Sequence, residues 1–156
     1  MARKRPKAVS KSDVLETLNR LLASQQVAVL ATHNDGQPYG SLVGFAVSPN
    51  LKSLFFATPR TTRKFANIEA DARVAMTFDD RTRAESDFYE AVGVTACGRA
   101  EEVDKSPRST NLKRFLARHP HLKEFVMSPN CAFVRVKVDK YVLVRRFQEV
   151  VELVVS

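Results

Sequence analysis

The sequence predicts a mainly β fold, a small barrel of antiparallel strands with helical additions. Short β-prone runs alternate with turn signals along the first two thirds of the chain, and the stretch from Cys131 to Val155 is almost wholly β-prone. Only three segments carry apolar residues at helical spacing. We therefore expect a single domain over residues 12–156, preceded by a mobile basic tail over residues 1–11.

The positive charge of the chain is concentrated in this tail. The formal net charge is +8 over 156 residues, a length that allows one buried core without disulfides. The cations before the first acid, Asp13, are Arg3, Lys4, Arg5, Lys7 and Lys11. Such a tail could contact nucleic acid weakly, but we favour a plain solubilising role.

Compartment and redox state follow from what the sequence lacks. No apolar run approaches the ~20 residues of a membrane span, and no secretory signal follows the basic N-terminus. Cys97 and Cys131 are far apart and form no CxxC pair. We expect buried free thiols in a cytoplasmic protein, without a membrane partner or a metal site.

The first predicted helix ends near Ser24. It begins at a capping box, in which Asp13 accepts from first-turn amides and Glu16 reaches back, and leucines then recur at helical spacing. A β-prone run, Val27 to Thr32, follows it.

A hairpin and a third strand come next. Asp35-Gly36 is a strong hairpin signal because such turns need residues that tolerate positive φ. Tyr39 to Val47 is the expected second strand, Ser48-Pro49-Asn50 turns the chain, and Ser53 to Ala57 is the third strand.

The second half of the chain repeats these patterns. A short helix is expected from about Thr62 to Asp71, with strands at Arg73–Phe78 and Ala91–Val103 and a polar loop, DDRTRAESDFYE, between them. Asn111 to Met127 is predicted to be helical and broken at Pro120. Three β-prone runs, CAFVRVKV, YVLVRRF and VVELVV, end the chain.

The turn before the second helix collects cations and hydroxyl groups. They are Thr58, Arg60, Thr61, Thr62, Arg63 and Lys64. Cations are disfavoured at a helix N-terminus, where the peptide dipoles leave about half a positive charge. A phosphate would remove this conflict because it accepts from first-turn amides and pairs with Arg and Lys. The sequence thus predicts a phosphate site, with solvated surface cations as the alternative.

A family resemblance is carried by the stretch YGSLVGFAVSPNLKSLFFATPRTTRKFANIEADARVAMTF and the later VTACGRAEEV. From about Val27 to Val103 the chain resembles the pyridoxamine 5′-phosphate oxidase-like FMN-binding split-barrel family. The resemblance implies a six-stranded antiparallel split barrel that forms a homodimer and holds FMN at the subunit boundary.

The resemblance also implies cofactor-binding residues. Thr62, Arg63 and Lys64 would hold the FMN phosphate, with a contribution from Ala57 and Thr58 at the end of the third strand. The stretch that would lie along the flavin ring and the ribityl chain is Ser41, Leu42 and Val43. Arg60 falls in a loop that is longer than usual for the family, and it receives no role.

Two departures from the family bear on the substrate. The vitamin-making oxidases end in a tryptophan-containing strand that grips the substrate, whereas this chain has no Trp and ends VVELVVS. Ser41 stands where an arginine is expected on the second strand. We therefore do not expect oxidation of pyridoxamine phosphate.

The leading hypothesis is an FMN-dependent oxidoreductase that acts on a small molecule, with NAD(P)H as a candidate electron donor. The sequence names no catalytic acid or base. A deazaflavin in place of FMN, a non-enzymatic flavin carrier or sensor, and a nucleic-acid binder that uses the tail remain as alternatives.

Histidines offer a competing interpretation as metal or haem ligands. His119-Pro-His121 could present two imidazoles, but the proline spoils a helical pair and no cysteine or acid cluster is nearby. We interpret this pair as a helix break at the surface and His33 as a residue of the hairpin turn.

Overall fold

The computed structural model describes residues 10–146 and 149–156. Most of the predicted basic tail lies outside these residues. Its last two positions, Ser10 and Lys11, belong to the start of the first helix. Within the described ranges, no helix is both long and apolar enough to cross a membrane.

Helix α1 (Lys11–Ser24) is capped by Ser10, whose hydroxyl accepts a hydrogen bond from the Asp13 amide over 3.2 Å. The predicted capping box of Asp13 and Glu16 is therefore wrong, because the serine three residues earlier takes the cap position. The apolar face of the helix enters the core through Val14, Leu18, Leu21 and Leu22.

Strands β1 (Val27–Asn34) and β2 (Gln37–Gly44) form the predicted hairpin. In the turn, Asp35 and Gly36 have φ of 49° and 80°. These left-handed values give a two-residue turn the twist that matches the flanking strands, which is why an Asp-Gly pair is favoured here.

The chain changes strand partners after β2. Strand β3 (Ala46–Val47) pairs with β4 (Ser53–Pro59), whereas β2 pairs with β1. The predicted second strand is thus interrupted at Phe45. The Phe45 ring is fully buried and meets the edge of Phe78 with ring centroids 4.6 Å apart.

Helix α2 (Arg63–Ala70) and strand β5 (Arg73–Asp79) agree with the prediction. Thr62 is the N-cap of α2. The buried Asn67 amide donates to the Thr32 hydroxyl over 3.0 Å and so ties the helix to β1.

A short helix, α3 (Asp87–Glu90), lies inside the segment predicted to be a loop. Strand β6 (Gly93–Val103) follows and is irregular between Cys97 and Gly98. A Cβ at Gly98 would lie 2.9 Å from the carbonyl carbon of Lys137, and closer still to its oxygen. Only glycine allows this approach of β6 to its neighbour.

The predicted helix break at Pro120 is confirmed. Helix α4 (Thr110–Arg118) is followed by a 3₁₀ turn (Pro120–Leu122) and by α5 (Lys123–Met127). The Arg118 guanidinium donates to the Leu22 carbonyl over 2.8 Å, which satisfies an orphan group at the end of α1.

Two strands, rather than three, end the chain. Strand β7 (Cys131–Arg145) runs through both CAFVRVKV and YVLVRRF, and β8 (Glu149–Val154) pairs with it. The first two runs join into one strand because β7 keeps its pairing with β6 and absorbs one irregularity there. The Tyr141 hydroxyl donates to the Leu51 carbonyl over 2.6 Å.

The strands form one antiparallel sheet in the order β2-β1-β5-β6-β7-β4-β3, with β8 on β7. Because β3 continues β2 and β8 only flanks β7, six strands carry the barrel, and the predicted mainly β split barrel is confirmed. Among the described residues, no ladder joins β2 to β4. This gap is the split of the barrel.

Replacement of Gly98 by Ala should destabilise the fold by roughly 1–3 kcal/mol, because the backbone must move to accept the Cβ. At this chain length, that loss corresponds to a fall in Tm of about 2–4 °C per kcal/mol. Gly93→Ala is the matched control on the same strand, since a Cβ at that position would meet no atom within 4 Å. Equal Tm values for the two variants would contradict the close approach.

Candidate functional site

A network of hydroxyl groups joins the end of β4 to the start of α2. The Thr62 hydroxyl accepts from the Phe65 amide over 3.3 Å and donates to the Pro59 carbonyl over 2.9 Å. The buried Thr58 hydroxyl lies 2.8 Å from that of Thr62. This network fixes the turn, while the amides of the first turn of α2 have no intrahelical partner, as at any helix start.

Two uncompensated cations occupy the first turn of α2. Arg63 is exposed and Lys64 is half-buried, and neither side chain has an ion pair within the described part of the chain. The Arg63 guanidinium lies 5.8 Å from the ring centroid of Tyr39 on β2. No acid is present in this turn. The positive end of the helix dipole and two side-chain charges therefore add at one place.

Arg60 does not join this pair. Its guanidinium forms an ion pair with Glu102, and the hydrogen bond to that carboxylate raises the pKa of Arg60. Its amide donates to the Asn130 carbonyl over 2.8 Å. Arg60 thus ties β4 to the turn before β7, and its charge is already neutralised.

The predicted residues of β2 face two ways. Ser41 is paired with Leu30 and Val43 with Ala28, so both point toward the barrel interior. Leu42 points outward and is 73% exposed. The Ser41 hydroxyl is closed off from solvent, yet it has no hydrogen-bond partner among the described residues. A buried hydroxyl without a partner costs about 1–3 kcal/mol and needs a reason.

The structure brings together some of the predicted residues and separates others. Thr58, Thr62 and Arg63 meet at the split of the barrel. The Ala57 side chain instead packs on the apolar cluster beside α4 and α5, so only its backbone remains available there. Tyr39 was missed by the sequence reasoning, although its place two residues before Ser41 puts it on the same face of the edge strand.

His33 belongs to a partly exposed ion cluster at the opposite end of α2. Its Nε2 atom lies 3.1 Å from the Asp71 carboxylate, and Arg73 donates to the same carboxylate over 2.7 Å. Hydrogen bonds from the Arg73 side chain and backbone hold the pKa of Asp71 well below its ordinary value. An eight-residue helix spans about 12 Å, so this cluster lies apart from Arg63.

His119 is a core residue, which corrects its interpretation as part of a surface break. It is 3% exposed, and its Nε2–H donates to the Phe45 carbonyl over 2.7 Å. Burial lowers the pKa of His119, and the neighbouring Arg118 adds to the effect. His121 is exposed. Within the described ranges, no three His, Cys, Asp or Glu residues are grouped as metal ligands would be.

Comparisons with known proteins agree with this architecture. The sequence profile of the family described as pyridoxamine 5′-phosphate oxidase matches residues 14–145. No curated protein sequence matches the chain.

Solved structures share the fold at low sequence identity. A heme-binding protein from Mycobacterium smegmatis has a TM-score of 0.80 at 16% identity, over 94% of this chain and 60% of that one. A FAD-binding protein from Mesorhizobium loti has a TM-score of 0.65 at 22% identity, over 83% and 90%. HutZ, the heme storage protein from Vibrio cholerae, has 0.66 at 17% identity, over 84% and 93%.

The neutral state of His119 makes stability depend on pH. The folded pKa lies below the ordinary value of 6.5, so the unfolded chain binds a proton that the folded chain lacks. The free energy of unfolding should therefore fall as the pH decreases from 7 to 5, by at most ~1.4 kcal/mol per pH unit.

Urea denaturation of two variants tests this assignment. In His119→Gln, the glutamine side chain can still donate a hydrogen bond but does not titrate. The free energy of unfolding of this variant should therefore depend less on pH. His121→Gln alters an exposed histidine and should keep the dependence of the unaltered protein. An unchanged pH slope in His119→Gln would contradict the assignment.

Proposed function

This chain belongs to the pyridoxamine 5′-phosphate oxidase family, and from that membership we propose that it binds FMN at the split of the barrel and uses it as a redox cofactor. The observation that carries the proposal is that Arg63 and Lys64, in the first turn of α2, form no ion pair with any described residue. The residues around them fit a flavin phosphate and part of its ribityl chain.

The phosphate end is supported by charge. Arg63 and Lys64 add to a helix dipole worth about half a positive charge, which is unfavourable until an anion binds. A phosphate monoester brings about two negative charges and accepts several hydrogen bonds. The Thr62 side chain, the first-turn amides and the two cations supply donors of the kind such a group needs.

The ribityl end is supported by Ser41. Its buried hydroxyl has no partner among the described residues, and it lies on the same face of β2 as Tyr39. A polyol chain that displaces the groups covering this hydroxyl would supply the missing hydrogen bond. Val43 continues this face into the apolar core and excludes water there.

A bound flavin would supply the acceptance and release of electrons, while the chain supplies binding, orientation and polarity. We assign no catalytic acid or base. His119 already donates to a backbone carbonyl, and His33 is held by Asp71.

We further propose that a second copy of the chain completes the site. The outward face of the sheet is rich in apolar side chains that one subunit leaves exposed. They are Val27 at 50%, Leu42 at 73%, Val144 at 41%, Val150 at 60% and Val154 at 65%. A homodimer that covers this face would also protect the free edge of β2.

The substrate is proposed to be a small redox molecule other than pyridoxamine phosphate, with NAD(P)H as a candidate donor. A flavin carrier or sensor is the second candidate, favoured by the lack of an assignable acid or base among the described site residues. A deazaflavin could occupy the same phosphate corner. The nucleic-acid alternative depends on the basic tail over residues 1–11 and stays a sequence-based prediction.

Purified protein distinguishes these candidates. A yellow protein that NAD(P)H bleaches, with turnover in the presence of an electron acceptor, supports the oxidoreductase. Bound flavin without turnover supports the carrier or sensor. Mass analysis of the group released by heat separates FMN from a deazaflavin.

Replacement of both Arg63 and Lys64 by Ala should weaken FMN binding about a hundredfold or more, because each charge-assisted contact is worth roughly 1.5–3 kcal/mol. Quenching of flavin fluorescence measures the affinity. Arg60→Ala is the matched control, since its charge is already paired with Glu102, and it should bind FMN normally. Unaltered affinity in the double variant would remove the phosphate assignment.

Ser41→Ala should have opposite effects on stability and on binding. Without ligand, the variant should be more stable by about 1 kcal/mol because a buried unpaired hydroxyl is removed. Its affinity for FMN should fall about fivefold or more because a hydrogen bond is lost. Thermal denaturation with and without FMN measures both, and a fall in ligand-free stability would contradict this role.

A further inference from the structure

One face of α2 contacts the β1-β2 hairpin at two points. At the first point, the Asn67 amide donates to the Thr32 hydroxyl over 3.0 Å, and both side chains are buried. Arg63 precedes Asn67 by four residues, so the two side chains lie on the same face of the helix. Thr32 is paired with Tyr39 across the hairpin. The second point is therefore the approach of Arg63 to the Tyr39 ring.

The contact between Arg63 and Tyr39 bridges the split of the barrel. The guanidinium carbon of Arg63 lies 5.8 Å from the centroid of the ring, within the range of about 6 Å for a cation–π contact. Tyr39 stands on the edge strand β2, and α2 follows β4, the strand on the other side of the split. No hydrogen bond or ion pair to another described residue competes for the Arg63 side chain.

An aromatic ring and a phosphate use different parts of a guanidinium. The ring attracts the positive charge through its π face and does not take up the N–H groups as a carbonyl or carboxylate would. In the part of the chain that the structure describes, the N–H groups of Arg63 have no acceptor. A side chain held in place before the ligand arrives loses less conformational entropy on binding. The ring can therefore orient Arg63 without occupying its donors.

Lys64 has no such support. It follows Arg63 on the helix and is turned about 100° around the helix axis, and no aromatic ring of the described chain lies against its ammonium group. An ammonium on a flexible stem attracts a phosphate as a point charge, whereas a planar guanidinium can donate to two of its oxygens side by side. The orientation of the phosphate would therefore depend on Arg63 more than on Lys64.

We infer that Tyr39 is a positioning residue of the proposed phosphate site: its ring holds the Arg63 guanidinium at the split, with the N–H groups free for the phosphate oxygens. The inference rests on the proposed function and extends the site from α2 to the edge strand β2. A flavin that lacks the phosphate gains nothing from this contact.

Flavins with and without a phosphate test this role in the full chain. Tyr39→Leu keeps an apolar side chain but removes the π face. It should bind FMN about two- to fivefold more weakly, the loss expected for one exposed cation–π contact, and should bind riboflavin like the unaltered protein. Tyr39→Phe keeps the ring and should bind both flavins normally. Quenching of flavin fluorescence gives the affinities, and thermal denaturation shows that each variant is folded.

The two cations provide matched backgrounds for a double-mutant cycle. In Arg63→Ala, the ring has no guanidinium to hold, so the addition of Tyr39→Leu should not weaken FMN binding further. In Lys64→Ala, the addition of Tyr39→Leu should again weaken FMN binding about two- to fivefold, because Arg63 is still present.

Several results would overturn the inference. They are equal FMN binding by Tyr39→Leu and the unaltered protein, equal weakening of FMN and riboflavin binding, a loss in Tyr39→Phe as large as in Tyr39→Leu, and an undiminished loss in the Arg63→Ala background. An equal weakening of both flavins would mean that Tyr39 contacts the flavin itself.

Failure of the proposed function can be told apart from failure of this inference. If the unaltered protein binds no FMN, thermal denaturation in inorganic phosphate decides the role of Tyr39. Stabilisation by phosphate that falls in Tyr39→Leu and persists in Tyr39→Phe would uphold the positioning role, although the flavin proposal fails. Stabilisation that is absent, or equal in the two variants, overturns the positioning role as well.

Discussion

Phe45 lies between β2 and β3, at the point where the chain stops pairing with β1 and begins to pair with β4. Its amide donates to the Gln26 carbonyl over 3.4 Å, its carbonyl accepts from His119, and the Arg118 guanidinium lies 4.7 Å from its ring centroid. These contacts fix the residue between β2, which follows β1, and β3, which pairs with β4. The split of the barrel, the free edge of β2 and the opening beside α2 all depend on this one change of partner.

Compensation of charge decides which cations are available to a ligand. The sequence shows three cations, Arg60, Arg63 and Lys64, at or just before the start of α2. From the sequence alone, each could bind an anion equally well. The fold gives Arg60 a carboxylate from β6, whereas Arg63 and Lys64 receive none among the described residues. Contacts between residues far apart in the sequence therefore decide which cations stay free to bind an anion.

Local signals in the sequence were sufficient for much of the fold. The Asp35-Gly36 turn, the Thr62 cap and the break at Pro120 are set by nearby backbone chemistry, so each was predictable. The continuity of β7 has no local signal in the sequence because it comes from pairing with β6. The burial of His119 has none either, because its hydrogen-bond partner, the Phe45 carbonyl, is distant along the chain. The unpaired Ser41 hydroxyl was equally hidden, since a missing partner has no sequence pattern.

The Ser41 hydroxyl, which has no hydrogen-bond partner among the described residues, also affects the stability of the ligand-free chain and therefore its lifetime in a cell. A ligand that binds only the folded state stabilises it by mass action, in proportion to the logarithm of its concentration. If the chain binds FMN as proposed, cofactor-free chains would open more often and be cleaved by proteases, while occupied chains would persist. Under that proposal, the cellular abundance of the protein would follow the supply of FMN.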